Sequence, residues 1–277
     1  MDNRPIGVFD SGLGGLTAVR ELKKVLPQED IVYFGDTGRV PYGGRSPKII
    51  LEYAKQDIAF LLSKNVKCIM AACGTVSSIL PQELAQSLPV PFLGVVESTA
   101  KAAATATKNG HIGVIGTAAT IRSQSYAQQL RKQLENCVIS ARACPMFVPL
   151  VENGYLGKGN PITTAIAKEY LQEMARQDID TLILGCTHYP LIADIIGDVV
   201  GTKVTLIDPG RETAHRLREI LQQKGLLGQN TGNTEYFVSD SVDSFRTISN
   251  RFLGEYAGGS VHQIDIDQFQ LSFPCPQ

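Results

Sequence analysis

No Cys-x-x-Cys pair, no apolar run of membrane-spanning length and no long basic stretch occurs in this chain, and each absence removes a class of function. Six cysteines spread over 277 residues do not make a disulfide framework. They read as free thiols of a reducing compartment, where the ordinary fate of a thiol is to be a small buried apolar group. A formal net charge of -1 leaves no electrostatic footprint for nucleic acid. The opening MDNRPIGVFDSG lacks the charged and apolar regions of a secretory signal, so a cytoplasmic protein with no membrane partner is expected. No zinc spacing occurs, since Cys186-Thr187-His188 offers two ligands at most. Ser11-Gly12-Leu13-Gly14-Gly15-Leu16-Thr17 lacks both the dinucleotide glycine spacing and a Walker lysine. It reads instead as a helix N-terminus with amides free for a carboxylate.

What is present is an ordinary globular balance, 43% hydrophobic and 19% charged, arranged as strand–helix alternation. Short β-branched runs at 6–9, 31–34, 68–72, 92–96, 112–115, 181–184 and 204–207 alternate with amphipathic stretches at 16–26, 49–64 and 163–177. Such a pattern predicts an α/β fold with mainly parallel sheets flanked by helices. The chain also resembles itself at a lag of about 110 residues. Pro5 to Ser11 is answered by His111 to Thr117, Cys68 to Thr75 by Thr181 to Thr187, and Leu93 to Ser98 by Thr205 to Gly210. Two pseudo-symmetric α/β domains with a cleft between them are therefore expected. The second covers 98–207; the first is discontinuous, 1–97 plus 208–277, its tail returning to complete the first sheet.

Ligands of open α/β sheets gather at the carboxyl ends of strands. The repeat puts Cys73 and Cys186 at equivalent strand ends, each just before a predicted helix whose N-terminus would lower a thiol pKa. A lone cysteine there would be read as structural; a matched pair in two facing halves is read as functional. Two like acids suit a reaction in which a proton leaves one face of a carbon and another arrives at the opposite face, as in amino-acid racemisation. Asp10 and Ser11 end the first strand, and His188 lies two residues after Cys186, where it can relay protons. Asp10 can equally be a helix cap, and His188 a structural histidine. Tyr42 and Gly43 sit in a turn-rich loop, and Thr75, Thr117, Thr120 and Thr187 are strand-end hydroxyls able to hold carboxylates or to cap helices. Neither cysteine-bearing strand end carries a lysine for a Schiff base, so no cofactor and no metal is expected.

These residues fall into motifs: Phe9-Asp10-Ser11-Gly12 with Gly14 to Thr17, Phe34 to Thr37 running into Pro41-Tyr42-Gly43, Ala72-Cys73 with Thr75, Gly113 to Thr117 with Thr120, Pro149 to Glu152, and Leu184 to Pro190. Together they make the chain similar, over nearly its whole length, to the glutamate racemases of the aspartate/glutamate racemase superfamily. The resemblance implies cofactor-independent interconversion of L- and D-glutamate, supplying D-glutamate for peptidoglycan, by an enzyme that forms homodimers. It implies that Cys73 serves the D-enantiomer and Cys186 the L-enantiomer, with Asp10, His188 and Glu152 assisting. It further implies that Ser11, Tyr42, Gly43, Thr75, Thr117, Thr120 and Thr187 hold the substrate, together with Asp10 and His188. Two positions depart from the family pattern. Gly74 stands where an asparagine amide is usual, at a position that faces the substrate, and Pro209 stands where serine is expected. Other readings remain: a racemase for aspartate or another amino acid, a decarboxylase of the same superfamily, which would need one cysteine only, or a silent small-acid binding protein.

Overall fold

The apolar strand segments assemble into two parallel sheets in the computed structural model, which describes residues 1–271. In chain order the elements are β1 (Ile6–Asp10), α1 (Leu16–Val25), β2 (Ile31–Gly35), α2 (Pro47–Ser63), β3 (Cys68–Ala71), α3 (Gly74–Ser77), α4 (Gln82–Ser87), β4 (Phe92–Gly94) and α5 (Val95–Ala106). Then come β5 (His111–Gly116), α6 (Ala118–Ser123), α7 (Ser125–Gln133), β6 (Val138–Ala143), α8 (Phe147–Glu152), α9 (Pro161–Ala175), β7 (Thr181–Gly185), α10 (Ala193–Val200) and β8 (Thr205–Ile207). After these come α11 (Pro209–Gln223), β9 (Thr234–Val238), α12 (Val242–Leu253), β10 (Ser260–Gln263) and a short helical turn, Ile266–Gln268.

The first sheet has the order β10-β9-β2-β1-β3-β4 and the second β6-β5-β7-β8. The last four strands of the first sheet and the four of the second therefore follow one topology, with β1, β3 and β4 matching β5, β7 and β8. Every pairing is parallel. β1, β2, β3 and β7 are buried along their whole length, which explains why their sequences read as continuous apolar runs. β9 pairs with β2 and β10 with β9, so the C-terminal tail extends the first sheet.

Some elements differ from the sequence expectation. The strand predicted over 92–96 stops at Gly94, because the Val95 N–H leaves the ladder for the Ser77 hydroxyl (3.1 Å) and α5 begins there. Position 97 thus lies inside a helix. The predicted helix after Cys73 is only the four-residue α3. β6 has no counterpart among the predicted strands: it is an edge strand, half exposed, and Val138-Ile139-Ser140-Ala141-Arg142-Ala143 shows no buried run. Pro209 takes the first position of α11, where a missing N–H costs nothing, and Asp208 caps that helix by accepting from Gly210 and Arg211. No described helix is long and apolar enough to cross a membrane.

The chain passes between the sheets along α5 and back along α11. These two helices pack side by side, and the hydroxyls of Ser98 and Thr213 meet at 2.7 Å. With the connections on one side, the carboxyl ends of both sheets are free to face each other.

Candidate active site

Cys73 follows β3 and Cys186 follows β7, at the same position of the shared topology. Both are almost out of solvent, at 4% and 6% exposure. The closest approach between the halves runs beside them. A Cβ placed on Gly74 would lie 2.4 Å from the carbonyl oxygen of Gly185, so the residue after one cysteine and the residue before the other are in backbone contact. Gly14 comes up against the side chains of Thr187 and His188, and Gly43 against that of Thr117. Side chains add to the seam: Thr75 and Thr117 hydroxyls lie 2.9 Å apart, and the Thr17 hydroxyl donates to the Thr187 carbonyl at 2.8 Å.

Each sulfur has its own attendants. The Cys73 thiol donates to the Ser11 hydroxyl at 3.5 Å. Asp10, at the end of β1, accepts from the Gly12 N–H at 3.1 Å through Oδ2, while its buried Oδ1 has no partner among the described residues. It is not the cap of α1, whose N-cap is Gly15. On the other side the Cys186 sulfur faces His188 Nδ1 at 3.8 Å, and His188 Nε2 faces Glu152 Oε1 at 2.9 Å. Glu152 is the last residue of α8, so two elements of the second sheet's half are joined through one imidazole.

Burial and charge set the two sides differently. Burial, and next the charge of Asp10, push the Cys73 thiol up to about 12. This reverses the expectation that a helix N-terminus lowers it: α3 is one turn long, and its dipole is outweighed by the loss of water. Burial also raises Asp10, against the opposing pull of His188 and the N–H groups of Gly15 and Gly12. For His188, burial favours the neutral ring, but hydrogen bonds and charge from Cys186 and Glu152 outweigh it and raise the imidazole to about 10. At neutral pH the cleft therefore holds an imidazolium beside one sulfur and a protonated thiol at the other.

The remaining expected residues are placed as follows. Thr117 caps α6 by accepting from the Thr120 N–H at 3.2 Å, and its hydroxyl lies 3.0 Å from that of Thr120 and 2.9 Å from that of Thr75. One hydroxyl serves both the helix and a three-member polar chain. Tyr42 turns its side chain away from the cleft and is buried, its phenol donating to Asp36. What Tyr42 and Gly43 offer the cleft is backbone. Three residues to which the sequence assigned no role of their own, Thr17 only as part of the glycine-turn motif, also belong here. Tyr33 donates to the Gly12 carbonyl at 2.7 Å and holds the glycine turn, Thr17 reaches Thr187, and Tyr126 lies buried against Gly185. All three act through tertiary contacts, for which a single sequence carries no signal. No group of three or more His, Cys, Asp or Glu among the described residues is disposed to hold a metal.

This arrangement of thiols, acids and hydroxyls at facing strand ends can be set beside known proteins. The family model described as Asp/Glu/Hydantoin racemase matches residues 20–217. A glutamate racemase of Geobacter metallireducens is 43% identical over 266 residues, 95% of this chain and 97% of the relative. Among solved structures, the glutamate racemase isoform RacE1 of Bacillus anthracis aligns with a TM-score of 0.91 and 39% identity, covering 96% of this chain and 98% of its own. The Francisella tularensis glutamate racemase, solved in complex with D-glutamate, gives 0.88 and 36%, covering 97% and 100%. Matched by the family model across both sheets and by these relatives over nearly its full length, the chain belongs to the Asp/Glu/hydantoin racemase family.

Proposed function

We propose that this protein interconverts L- and D-glutamate without a cofactor, by proton transfer between the substrate α-carbon and the two thiols Cys73 and Cys186. The observation that carries this reading is the pairing of two near-identical acids at equivalent strand ends, held against each other by the backbone contact of Gly74 with Gly185. Glutamate as the substrate is supported by the similarity to named glutamate racemases, one of them solved with D-glutamate. The product's use in peptidoglycan, and residence in the cytoplasm, are part of the same proposal. So is a division into a first domain, 1–97 with 208–277, and a second, 98–207, which follows sheet membership.

In the direction from L-glutamate, the α C–H bond breaks and its proton passes to the Cys186 sulfur as thiolate. The electron pair is left on the α-carbon and spreads into the carboxylate. The Cys73 S–H then delivers its proton to the opposite face, leaving D-glutamate, a Cys186 thiol and a Cys73 thiolate; once the product leaves, Cys186 gives up its proton to solvent by way of His188 and Cys73 regains one by way of Asp10, which restores the starting state. The microscopic steps are the same in both directions, which is why the two groups must be alike. An imidazolium at His188 stabilises negative charge on the neighbouring sulfur during transfer. The unpartnered Asp10 Oδ1 is positioned to receive the substrate ammonium or to exchange a proton with Cys73. The Thr75, Thr117 and Thr120 hydroxyls and the backbone at Tyr42 and Gly43 are suited to carboxylate oxygens.

The test is optical. L-Glutamate added to the purified protein without cofactor should lose its circular-dichroism signal as the D-form accumulates. Cys73→Ala and Cys186→Ala should each stop the change while leaving the far-UV spectrum intact. A flat signal from the wild type, or a single cysteine variant active in both directions, would overturn the proposal.

A further inference from the structure

We infer that Arg251 and Phe252, at the end of α12, are positioning residues for the Glu152–His188 pair, and so govern the Cys186 side of the site directly and the Cys73 side only through the charge of His188 on Asp10. This rests on the reading of Cys186 as one of two proton-transfer groups. α12 lies in the tail that extends the first sheet, whereas α8 and His188 follow strands of the second, so the contact crosses the cleft.

The geometry is specific. Arg251 Nη1 donates to the Glu152 carbonyl oxygen at 2.6 Å. That carbonyl ends a six-residue helix whose neighbouring carbonyls are already occupied: Pro149 accepts from Asn153, Leu150 from Tyr155, and Val151 from Gly154. The Glu152 oxygen is the one that Arg251 completes, and a cation is favoured at a helix C-terminus. The turn that follows is bare to receive it. Gly154 has φ +82°, and a Cβ there would lie 3.2 Å from the guanidinium carbon. The next residue, Phe252, is fully buried and sets its ring edge-on to His188, at 5.5 Å between centroids and 89° between planes. The Phe252 carbonyl accepts in turn from Arg20 of α1 at 3.4 Å, which fixes the end of α12 to the first sheet's side.

Two contacts from one helix turn therefore converge on a single imidazole, one through the backbone of Glu152 and one through a ring face. Glu152 needs the help, because its carboxylate is one-third exposed and His188 is the only side chain among the described residues that it bonds. The attendants of Cys73, by contrast, are Ser11 and Asp10 from the end of β1, and α12 touches neither of them through a hydrogen bond given to the described residues.

The experiment uses the full-length protein with Arg251→Met and Arg251→Lys; Arg251 is exposed, so its truncation leaves the core intact. Thermal melting checks the fold. Two readouts follow. First, His188 is followed by NMR among the chain's four histidines; loosening Glu152 should move its titration downward from about 10 in the Met variant, with the Lys variant in between. Second, kcat/KM should fall about tenfold, within what a small misplacement at a reacting centre costs. The primary isotope effect should grow with α-deuterated L-glutamate and shrink with the D-enantiomer, because the Cys186 step has slowed more than the Cys73 step. An unchanged His188 titration overturns the inference whether or not the protein racemises glutamate. Equal isotope effects for both enantiomers in an active Arg251→Met variant also overturn it. A wild type inert toward glutamate overturns the functional reading alone, because the His188 titration is read without turnover.

Discussion

His188 and Cys73 both tie the folded state to its protons, and in the same direction. The imidazole is raised from 6.5 to about 10 in the folded protein, so its stabilising effect is full below about 6.5 and is lost as pH rises through about 10. The thiol is raised from 9.0 to about 12, so the unfolded chain releases that proton first and stability falls between those values. Denaturant melts of the wild type should therefore show declining stability from neutral to alkaline pH. His188→Asn should lie below the wild type near pH 6 and converge with it near 10; parallel curves would show that His188 is not charged in the folded state. Gly74 gives a second prediction at this scale. From the sequence it is a missing amide, and replacing it with asparagine would be expected to alter substrate handling. The structure adds that any Cβ there meets the Gly185 oxygen at 2.4 Å, backbone against backbone, which no side-chain rotation relieves. Gly74→Ala and Gly74→Asn should both destabilise the protein, by about 1–3 kcal/mol as overpacking does, and lower turnover. A Gly74→Asn variant with wild-type melting and kcat would show that the halves separate there without penalty.

The sequence made the elements legible where burial is complete and obscured them where it is not. β1, β3 and β7 are buried throughout, their apolar runs recur with the same strand-end residues, and the repeat could be read from them. β6 escaped notice because an edge strand alternates with solvent and Arg142 interrupts it. The same limit hid how the loop before α2 is held. Asp36, Arg39 and Tyr42 lie on that loop and Asp57 on α2. The Tyr42 phenol donates to Asp36 and reaches Asp57 at 3.4 Å, Arg39 Nε bonds Asp36 at 2.6 Å, and Ser239 donates to Asp36 at 2.7 Å. Two fully buried carboxylates thus share one guanidinium. Burial, then the charge of Asp36, raise Asp57 well above the carboxylate range, so it is protonated at a pH where the unfolded chain would ionise it. Holding that proton costs stability as pH rises above the ordinary carboxylate value of 3.8. Asp57→Asn removes the cost and keeps the shape. It should raise the thermal midpoint at pH 7 and keep kcat/KM within about twofold of wild type, whereas Asp57→Leu, which takes the acceptor from Arg39 Nη2 and leaves Asp36 to serve Tyr42 and Arg39 alone, should lose stability. If the asparagine variant melts lower, the carboxyl is charged in place and Arg39 is its counter-ion.

At the scale of the whole molecule, the two sulfurs stand largely shielded from solvent by the facing halves. Both are under a tenth exposed. Two surface cavities of about 480 and 360 Å³ lie elsewhere, one beside Pro27 and Gly228 and the other beside Val66 and Val90. The seam that closes over the site is lined by three glycines, Gly74 against the Gly185 backbone, Gly14 against the Thr187 and His188 side chains and Gly43 against the Thr117 side chain, with a hydroxyl contact between Thr75 and Thr117. The three glycine contacts bury no large apolar side chain, but parting the halves also uncovers Phe252 from His188, while α5 and α11 keep the halves tethered on the far side. A hinge opening of this kind would admit a substrate. The consequence is measurable with the thiols themselves. Iodoacetamide labelling, read peptide by peptide, should modify Cys73 and Cys186 slowly in the free protein, at rates set by opening. Glutamate should slow both together, because a bound substrate completes the seam from inside; Cys137, half-buried and remote, should label at one rate throughout. Labelling of both active thiols as fast as a free peptide thiol would mean that the halves stand apart in solution, and the contacts at the three glycines would then belong to the occupied state alone.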